Sequence, residues 1–196
     1  MKKTYPSVLK QLLILGVCAQ TAMGAGQPYI PGFYGNAASI LPPPAANALP
    51  SGATVINGID SIASAGNAMT VHQGQPRAVI HWQNFDIGSQ ASVNFDQQSS
   101  SWKVLNQVTG DGYSRIYGTL TAKGQVYILN QNGILFGPGS QVNVHSLTAS
   151  ALNFLPTYDF LGNKDFADGG TESYKDASSP SATVANHGTI TAGQSK

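Results

Sequence analysis

Short apolar runs separated by turn-forming residues recur from Ser51 onward, and this rhythm constrains the fold more than any other feature of the sequence. The runs are a few residues long, rich in β-branched and aromatic side chains, and bounded by Gly and Asn. They lie at 54–56, 69–71, 78–82, 92–95, 104–105, 115–117, 125–129, 134–136 and 141–144. Since no helical periodicity is sustained over three turns, the pattern predicts an all-β protein.

Two all-β architectures fit such strands, a hairpin-built sandwich and a parallel β-helix. Asn57-Gly58, Asp111-Gly112 and Asn132-Gly133 are dipeptides typical of two-residue hairpins. Residues 184–192 have instead the order that a β-helix coil requires, a small polar turn followed by a short apolar strand. Asn and Gly suit the corners, and inward Val, Ile and Leu can stack on the same residue type in the next coil. We therefore predict a right-handed parallel β-helix over residues 51–192.

The N-terminus has the three parts of an export signal. Lys2 and Lys3 precede an apolar run at 12–19, and small residues follow at 22–25. This arrangement predicts a signal peptide over residues 1–24, with an apolar run too short to span a bilayer.

Cysteine usage and charge exclude further classes of protein. The single cysteine, Cys18, lies inside the predicted signal peptide, and we interpret it as apolar filler because the bulky Val17 disfavours the alternative of lipid attachment. A mature chain without cysteine cannot be locked by a disulfide, so it can stay unfolded until it has been exported further. With ten Lys and Arg against nine Asp and Glu, the chain lacks the excess of positive charge that is typical of nucleic-acid-binding proteins.

Three further segments differ from the strand rhythm. Residues 25–50 contain six prolines among Gly and Ala, which is typical of an extended leader. Five of the nine acidic residues fall between Asp159 and Asp176, and we predict a polar loop or insertion over 159–180. A calcium-binding loop is the alternative there, although its oxygen ligands do not sit at alternate positions. Residues 193–196 are interpreted as the start of a continuation, because a solenoid ending there would leave its last coil uncapped.

Five longer motifs follow one another in the central part of the chain. They are HWQNFDIG (81–88), VLNQVTG (104–110), SRIYGTL (114–120), GQVYILNQNGILFG (124–137) and VNVHSLTAS (142–150). Together they resemble the N-terminal two-partner-secretion domain, or haemagglutination activity domain, of filamentous-haemagglutinin-type exoproteins. The resemblance runs in order from about Leu49 to Ala192.

This resemblance implies a β-helix with a capped N-terminal end and extra-helical strands. It also implies export to the periplasm and recognition by a dedicated outer-membrane transporter with periplasmic POTRA domains. The protein would then be secreted by a Gram-negative bacterium or held at its cell surface.

The resemblance also points to a secretion motif. Family members carry an Asn-Pro-Asn-Gly type motif that matters for secretion, and the matching positions here are Asn130, Gln131, Asn132 and Gly133. Gln131 replaces the usual Pro and removes the fixed φ of that turn. Asn106 lies in a Leu-Asn-Gln-Val segment similar to the family's Leu-Asn-Arg-Val segment. We predict that the transporter contacts these five residues before the chain folds. The alternative is that the Asn pair only shapes a β-arc corner through Asx turns.

Three kinds of whole protein can begin with such a domain: an adhesin or haemagglutinin, a pore-forming or contact-dependent toxin, and a β-helical polysaccharide enzyme. The enzyme is least supported, because the acids outside the acidic loop are scattered singly and the four histidines share no metal-ligand spacing. We therefore predict no catalytic residue, cofactor or metal. We predict instead a secretion-targeting and folding-nucleation domain of an adhesin, whose downstream regions would contact host or neighbouring cells.

Overall fold

The structure is a computed structural model that describes residues 13–14, 41–154, 174–175 and 182–193. The predicted signal peptide and polar loop lie almost wholly outside these ranges, so both stay predictions. Every regular element in the described ranges is a strand, and none is a helix able to cross a membrane. The strands are β1 Leu13–Ile14, β2 Thr54–Asn57, β3 Ile59–Ala65, β4 Ala68–Gln73, β5 Arg77–Trp82, β6 Ser92–Asp96, β7 Lys103–Val108, β8 Ser114–Ile116, β9 Thr119–Ala122, β10 Gln125–Asn130, β11 Ile134–Phe136, β12 Gln141–Val144, β13 Ser146–Ser150, β14 Asn153–Phe154, β15 Tyr174–Lys175, β16 Val184–Asn186 and β17 Thr189–Ala192.

Three sheets form the faces of a solenoid. Their strand orders are β1-β13-β10-β7-β5-β2, β8-β11-β16 and β17-β12-β9-β6-β4-β3. One coil visits the three sheets in turn, as β7, β8 and β9 do, and the next coil of β10, β11 and β12 pairs on it in parallel. The chain is a β-solenoid of about three turns, which confirms the predicted parallel β-helix. Its right-handedness stays a prediction, in line with the strong preference of parallel crossovers.

The N-terminal end of the solenoid is antiparallel. β2 pairs with β5, and β3 pairs with β4, in antiparallel register. The β3–β4 hairpin turns at Gly66, whose φ of 60° suits glycine. By contrast, Asn57-Gly58 and Asn132-Gly133 each connect strands of different sheets, so these dipeptides form no hairpin. The hairpin-built sandwich is therefore wrong. β14 and β15 pair with each other outside the three faces, as expected of extra-helical strands.

The core is built from inward residues that stack from coil to coil. Val93, Leu120, Val142 and Ile190 occupy equivalent positions of β6, β9, β12 and β17, and the first three are fully buried. Neighbouring strands are about 4.8 Å apart, so each side chain packs directly on the next. Burial of one such side chain contributes about 1.5–3 kcal/mol, which makes the stack the main stabilising feature of the solenoid.

The end of the predicted leader packs against the coils. Leu41 is buried in a small cluster with Tyr117 and Leu135. Further along, the backbone nitrogen of Gly88 donates to the carbonyl of Ala48 at 2.9 Å. These contacts hold the segment before β2 against successive coils of the solenoid.

Candidate functional site

The predicted secretion motif forms the turn between β10 and β11, which we call the β10–β11 corner (Asn130–Gly133). Asn130 is 0% exposed, and its side-chain Oδ1 accepts a hydrogen bond of 2.9 Å from the backbone nitrogen of Asn132. The backbone carbonyl of Asn130 accepts from the nitrogen of Gly133 at 3.0 Å. Gly133 has a φ of 125°, a conformation that favours glycine. Asn130 therefore closes an Asx turn, and Gln131 at its tip is half-buried.

Both Asn amides of the corner reach back to the loop between β7 and β8 in the preceding coil. Nδ2 of Asn130 donates to the carbonyl of Gly112 at 2.9 Å and to the hydroxyl of Ser114 at 3.0 Å. Nδ2 of Asn132 donates to the carbonyl of Gly110 at 2.9 Å. The corner thereby satisfies backbone carbonyls of a glycine-rich loop and joins two successive coils.

Asn106 lies inside the core, on the inward face of β7. It pairs in register with Ile80 of β5 and Ile128 of β10, both fully buried, and is itself 0% exposed. Its Oδ1 accepts from Nε1 of Trp82 at 3.0 Å, and its Nδ2 donates to the carbonyl of Tyr127 at 3.1 Å. This amide is a hydrogen-bonded polar group within an apolar column.

The structure brings Asn106 near the corner by strand pairing. Asn106 pairs with Ile128, and Val108 pairs with Asn130, so the two Asn residues are offset by two positions on adjacent strands. Their hydrogen-bond partners differ. The five predicted residues therefore form one region across two coils, with two separate polar contacts.

Sequence reasoning missed an ion pair that joins the two coils preceding the coil of the corner. Asp86 is 4% exposed, and its Oδ2 lies 2.6 Å from Nη2 of Arg115. Its Oδ1 accepts from the backbone nitrogen of Arg115 at 2.8 Å. Nη1 of Arg115 also donates to the carbonyl of Pro42 at 3.1 Å, so the pair holds the segment before β2 in place.

A repeated turn could have pointed to this carboxylate. The backbone nitrogen of Asp86 donates to Oδ1 of Asn84 at 2.8 Å, the same Asx turn that Asn130 and Asn132 form. An Asn followed two residues later by Asp or Asn thus opens a corner in each of two coils. Recognition of that repeat would have placed Asp86 beside the core.

The ring of Tyr117 is buried next to this ion pair. It is 8% exposed, and its hydroxyl has no hydrogen-bond partner in the part of the chain that the structure describes. Burial raises the pKa of Tyr117 above its ordinary value of 10.0, while the positive charge of Arg115 acts in the opposite direction.

The described ranges hold no cluster of three or more His, Cys, Asp or Glu that could bind a metal ion. A cavity of about 390 Å³ lies beside β6, β9, β12 and β17. Its lining is Asn94, Thr121, Ala122, Lys123, Asn143, Val144 and Thr191. These side chains offer hydrogen bonds and one positive charge, without a carboxylate or imidazole for general acid–base work.

Comparison with known proteins agrees with this architecture. The family model of the TPS secretion domain matches residues 46–196. A heme/hemopexin-binding protein of Haemophilus influenzae strain Rd is 40% identical over 102 residues, which cover 52% of this chain and 11% of that protein. A second Haemophilus influenzae protein of the same name is 42% identical over 82 residues, 42% of this chain and 9% of that protein.

A solved structure is also similar. The crystal structure of the HMW1 secretion domain from Haemophilus influenzae matches with a TM-score of 0.60 and 27% identity, covering 72% of this chain and 36% of that chain. The chain spans about a tenth of the length of the two heme/hemopexin-binding proteins that it matches. These findings confirm secretion targeting in exoproteins of Gram-negative bacteria and imply a dedicated outer-membrane transporter as partner. The chain belongs to the TPS secretion domain family.

Proposed function

We propose that this domain crosses the periplasm unfolded and presents Asn106 and the β10–β11 corner to the POTRA domains of its transporter before the coils form. One observation carries the proposal: in the folded domain these side-chain amides are already hydrogen-bonded within the chain. Asn106 and Asn130 are fully buried, and Nδ2 of Asn132 is bonded to the preceding coil. A partner that reads these groups must therefore meet them in the unfolded chain.

Folding at the cell surface would then supply part of the driving force for export. Each added coil buries apolar side chains, as in the stack of Val93, Leu120 and Val142. A coil that has folded outside cannot slide back without exposing that surface to water again. The domain acts in this proposal as a folding nucleus as well as an address, and it performs no catalysis.

For the whole exoprotein we propose an adhesin or haemagglutinin that contacts host or neighbouring cells. Heme or hemopexin binding is a second candidate, because the relatives that are 40% and 42% identical carry that name. A secreted toxin and a polysaccharide enzyme are further alternatives. The sequence that follows the domain in the natural protein separates them, since long similar repeats favour an adhesin and a distinct charged C-terminal domain favours a toxin.

A deletion tests the secretion role. Residues 51–192 are removed from the full exoprotein, while the predicted signal peptide is left intact. We expect the shortened protein to accumulate in the periplasm, and a parallel deletion of equal length downstream of the domain to reach the medium. Appearance of the first protein in the medium would show that the domain does not direct secretion.

A further inference from the structure

Asn132 and Gly133 make the β10–β11 corner chemically labile as well as structural. In an Asn-Gly dipeptide the glycine nitrogen can approach the Asn side chain without hindrance, because glycine has no Cβ. The chain contains this dipeptide at 57–58 and at 132–133. The second pair belongs to the predicted secretion motif.

We propose that Asn132 is a deamidation site that folding protects and that stands open in the unfolded chain. The chemistry needs only water. The backbone nitrogen of Gly133 bonds to Cγ of Asn132, the Cγ–Nδ2 bond breaks, and Nδ2 leaves as ammonia with the proton of the glycine nitrogen. One water molecule then opens the succinimide to aspartate or to isoaspartate, in which the main chain runs through Cγ.

The folded corner restrains both reacting groups. Nδ2 of Asn132, the leaving group, donates to the carbonyls of Gly110 at 2.9 Å and Gly112 at 3.4 Å. The nitrogen of Gly133, the nucleophile, donates to the carbonyl of Asn130 at 3.0 Å. Ring closure requires these bonds to break and the turn to rotate. The reaction therefore depends on local opening of the corner, whose population is small in a packed solenoid.

The product cannot rebuild the same corner. Deamidation replaces the donor Nδ2 with a carboxylate oxygen that would face the carbonyls of Gly110 and Gly112, placing acceptors against acceptors. Isoaspartate also lengthens the main chain beside the buried residue Ile134. Either product disrupts the junction between two coils, so a chain modified before folding is impaired in forming the domain.

This chemistry holds whether or not the transporter reads the motif. Its biological consequence rests on the proposed export of an unfolded chain. A chain that waits in the periplasm would gradually lose the ability to fold outside. The dipeptide would then set a time limit on export, which favours prompt delivery to the transporter.

Asn57 serves as an internal reference. Its Nδ2 donates to the carbonyl of Arg77 at 3.1 Å, and it ends β2, a largely exposed strand at the N-terminal end of the solenoid. Local opening costs less at such an end than in the packed middle. We expect Asn57 and Asn132 to deamidate at similar rates in urea, and Asn57 to deamidate faster in the folded chain.

The test uses the 196-residue chain without any transporter, so its failure is separate from failure of the export proposal. The chain is incubated in mildly alkaline buffer with and without urea, and peptide mass spectrometry follows deamidation at both Asn residues. We expect Asn132 to react at least ~10-fold more slowly in the folded chain than in urea. Equal rates, or no reaction at Asn132 in urea, would overturn the proposal.

A second measurement tests the consequence. Urea-aged chain is returned to native buffer, and the protease-resistant fraction is analysed. Enrichment of unmodified Asn132 in that fraction is the expected result, together with a lower urea midpoint for the variant Asn132→Asp. If the protease-resistant fraction contained deamidated Asn132 in the same proportion as the aged chain before refolding, this would contradict the claim that the product cannot rebuild the corner.

Discussion

The indole Nε1 of Trp82 donates to Oδ1 of Asn106 at 3.0 Å, and both side chains are buried. Because Nδ2 of Asn106 donates in turn to the carbonyl of Tyr127, one amide connects β5, β7 and β10. A slip of one residue between these strands would turn Asn106 to the other face and leave the indole unpaired in the core. We interpret the contact as a device that specifies coil register.

Replacement of Asn106 tests this interpretation. Asn106→Leu removes both hydrogen bonds, so the buried Trp82 indole loses its acceptor and the Tyr127 carbonyl loses the Asn106 donor. We expect a loss of about 2–4 kcal/mol in the free energy of unfolding, measured by urea denaturation. Asn143→Leu is the matched control, because Asn143 is exposed on β12, and it should change stability by about 0.5 kcal/mol or less. Equal stability of the two variants would show that leucine replaces the amide without cost.

The Asp86–Arg115 pair leads to a second prediction. Arg115→Met leaves the Asp86 carboxylate buried without its cation, which costs about 3 kcal/mol or more when a buried pair is broken. It also removes the donor to Pro42, so we expect faster proteolysis within residues 41–50. The double variant Asp86→Asn/Arg115→Met should recover part of the stability, because it removes the unpaired charge. A double variant less stable than Arg115→Met would contradict this explanation.

Tyr117 predicts a dependence of stability on alkaline pH. Its pKa is raised above 10.0 by burial, so the folded domain keeps this proton to higher pH than the unfolded chain. The free energy of unfolding should therefore be unaffected by this group below pH 10.0 and fall as pH rises from there through the folded pKa. Urea midpoints across this range should fall less steeply for Tyr117→Phe than for the parent protein. Parallel curves for the two proteins would be evidence against the predicted role of Tyr117.

Variants at two glycines distinguish the cost of steric crowding from the cost of an unfavourable backbone conformation. A Cβ at Gly118 would clash with the carbonyl oxygens of Gly88 and Ala91, whereas nothing lies within 4 Å of the position at Gly139, whose φ is 82°. We expect Gly118→Ala to destabilise the domain by about 3 kcal/mol through overpacking of adjacent coils. Gly139→Ala should cost about 1 kcal/mol, the penalty of a left-handed residue. Thermal or urea unfolding measures both, and the reverse order would contradict the close approach of the coils at Gly118.

The short apolar strands could be predicted because each contains residues that favour strands, such as 125–129 in β10. Several strands lie outside the predicted runs, among them β3, β9 and β13, and the reason is physical. β3 has the sequence IDSIASA and β13 has SLTAS, so small and polar residues hide strands that are defined by pairing with neighbours. Intrinsic preference carries little information where a neighbouring coil decides the structure.

Likewise, only part of the candidate site could be predicted from the sequence. The Asx turn of the β10–β11 corner follows from local sequence, since Asn130 bonds to Asn132 two residues later. The partners of Asp86 and Asn106 do not, because Arg115 and Trp82 are 29 and 24 residues away. Such contacts depend on the length of each coil. The alternation of Val104, Asn106 and Val108 was nevertheless a signal that Asn106 faces inward.

The most direct test of transporter recognition at the Asn motif compares secretion and refolding of the same variant. Asn130→Ala/Asn132→Ala is introduced into the full exoprotein and into the 196-residue chain, with Arg115→Met as a reference that is destabilised outside the predicted motif. The amount reaching the medium is measured with the dedicated transporter present, and refolding is measured in vitro. We predict that the Asn variant is secreted less than the Arg115→Met reference even where it refolds as well as, or better than, that reference. Secretion of both variants in proportion to their refolding would contradict recognition of the Asn motif and leave it a structural corner.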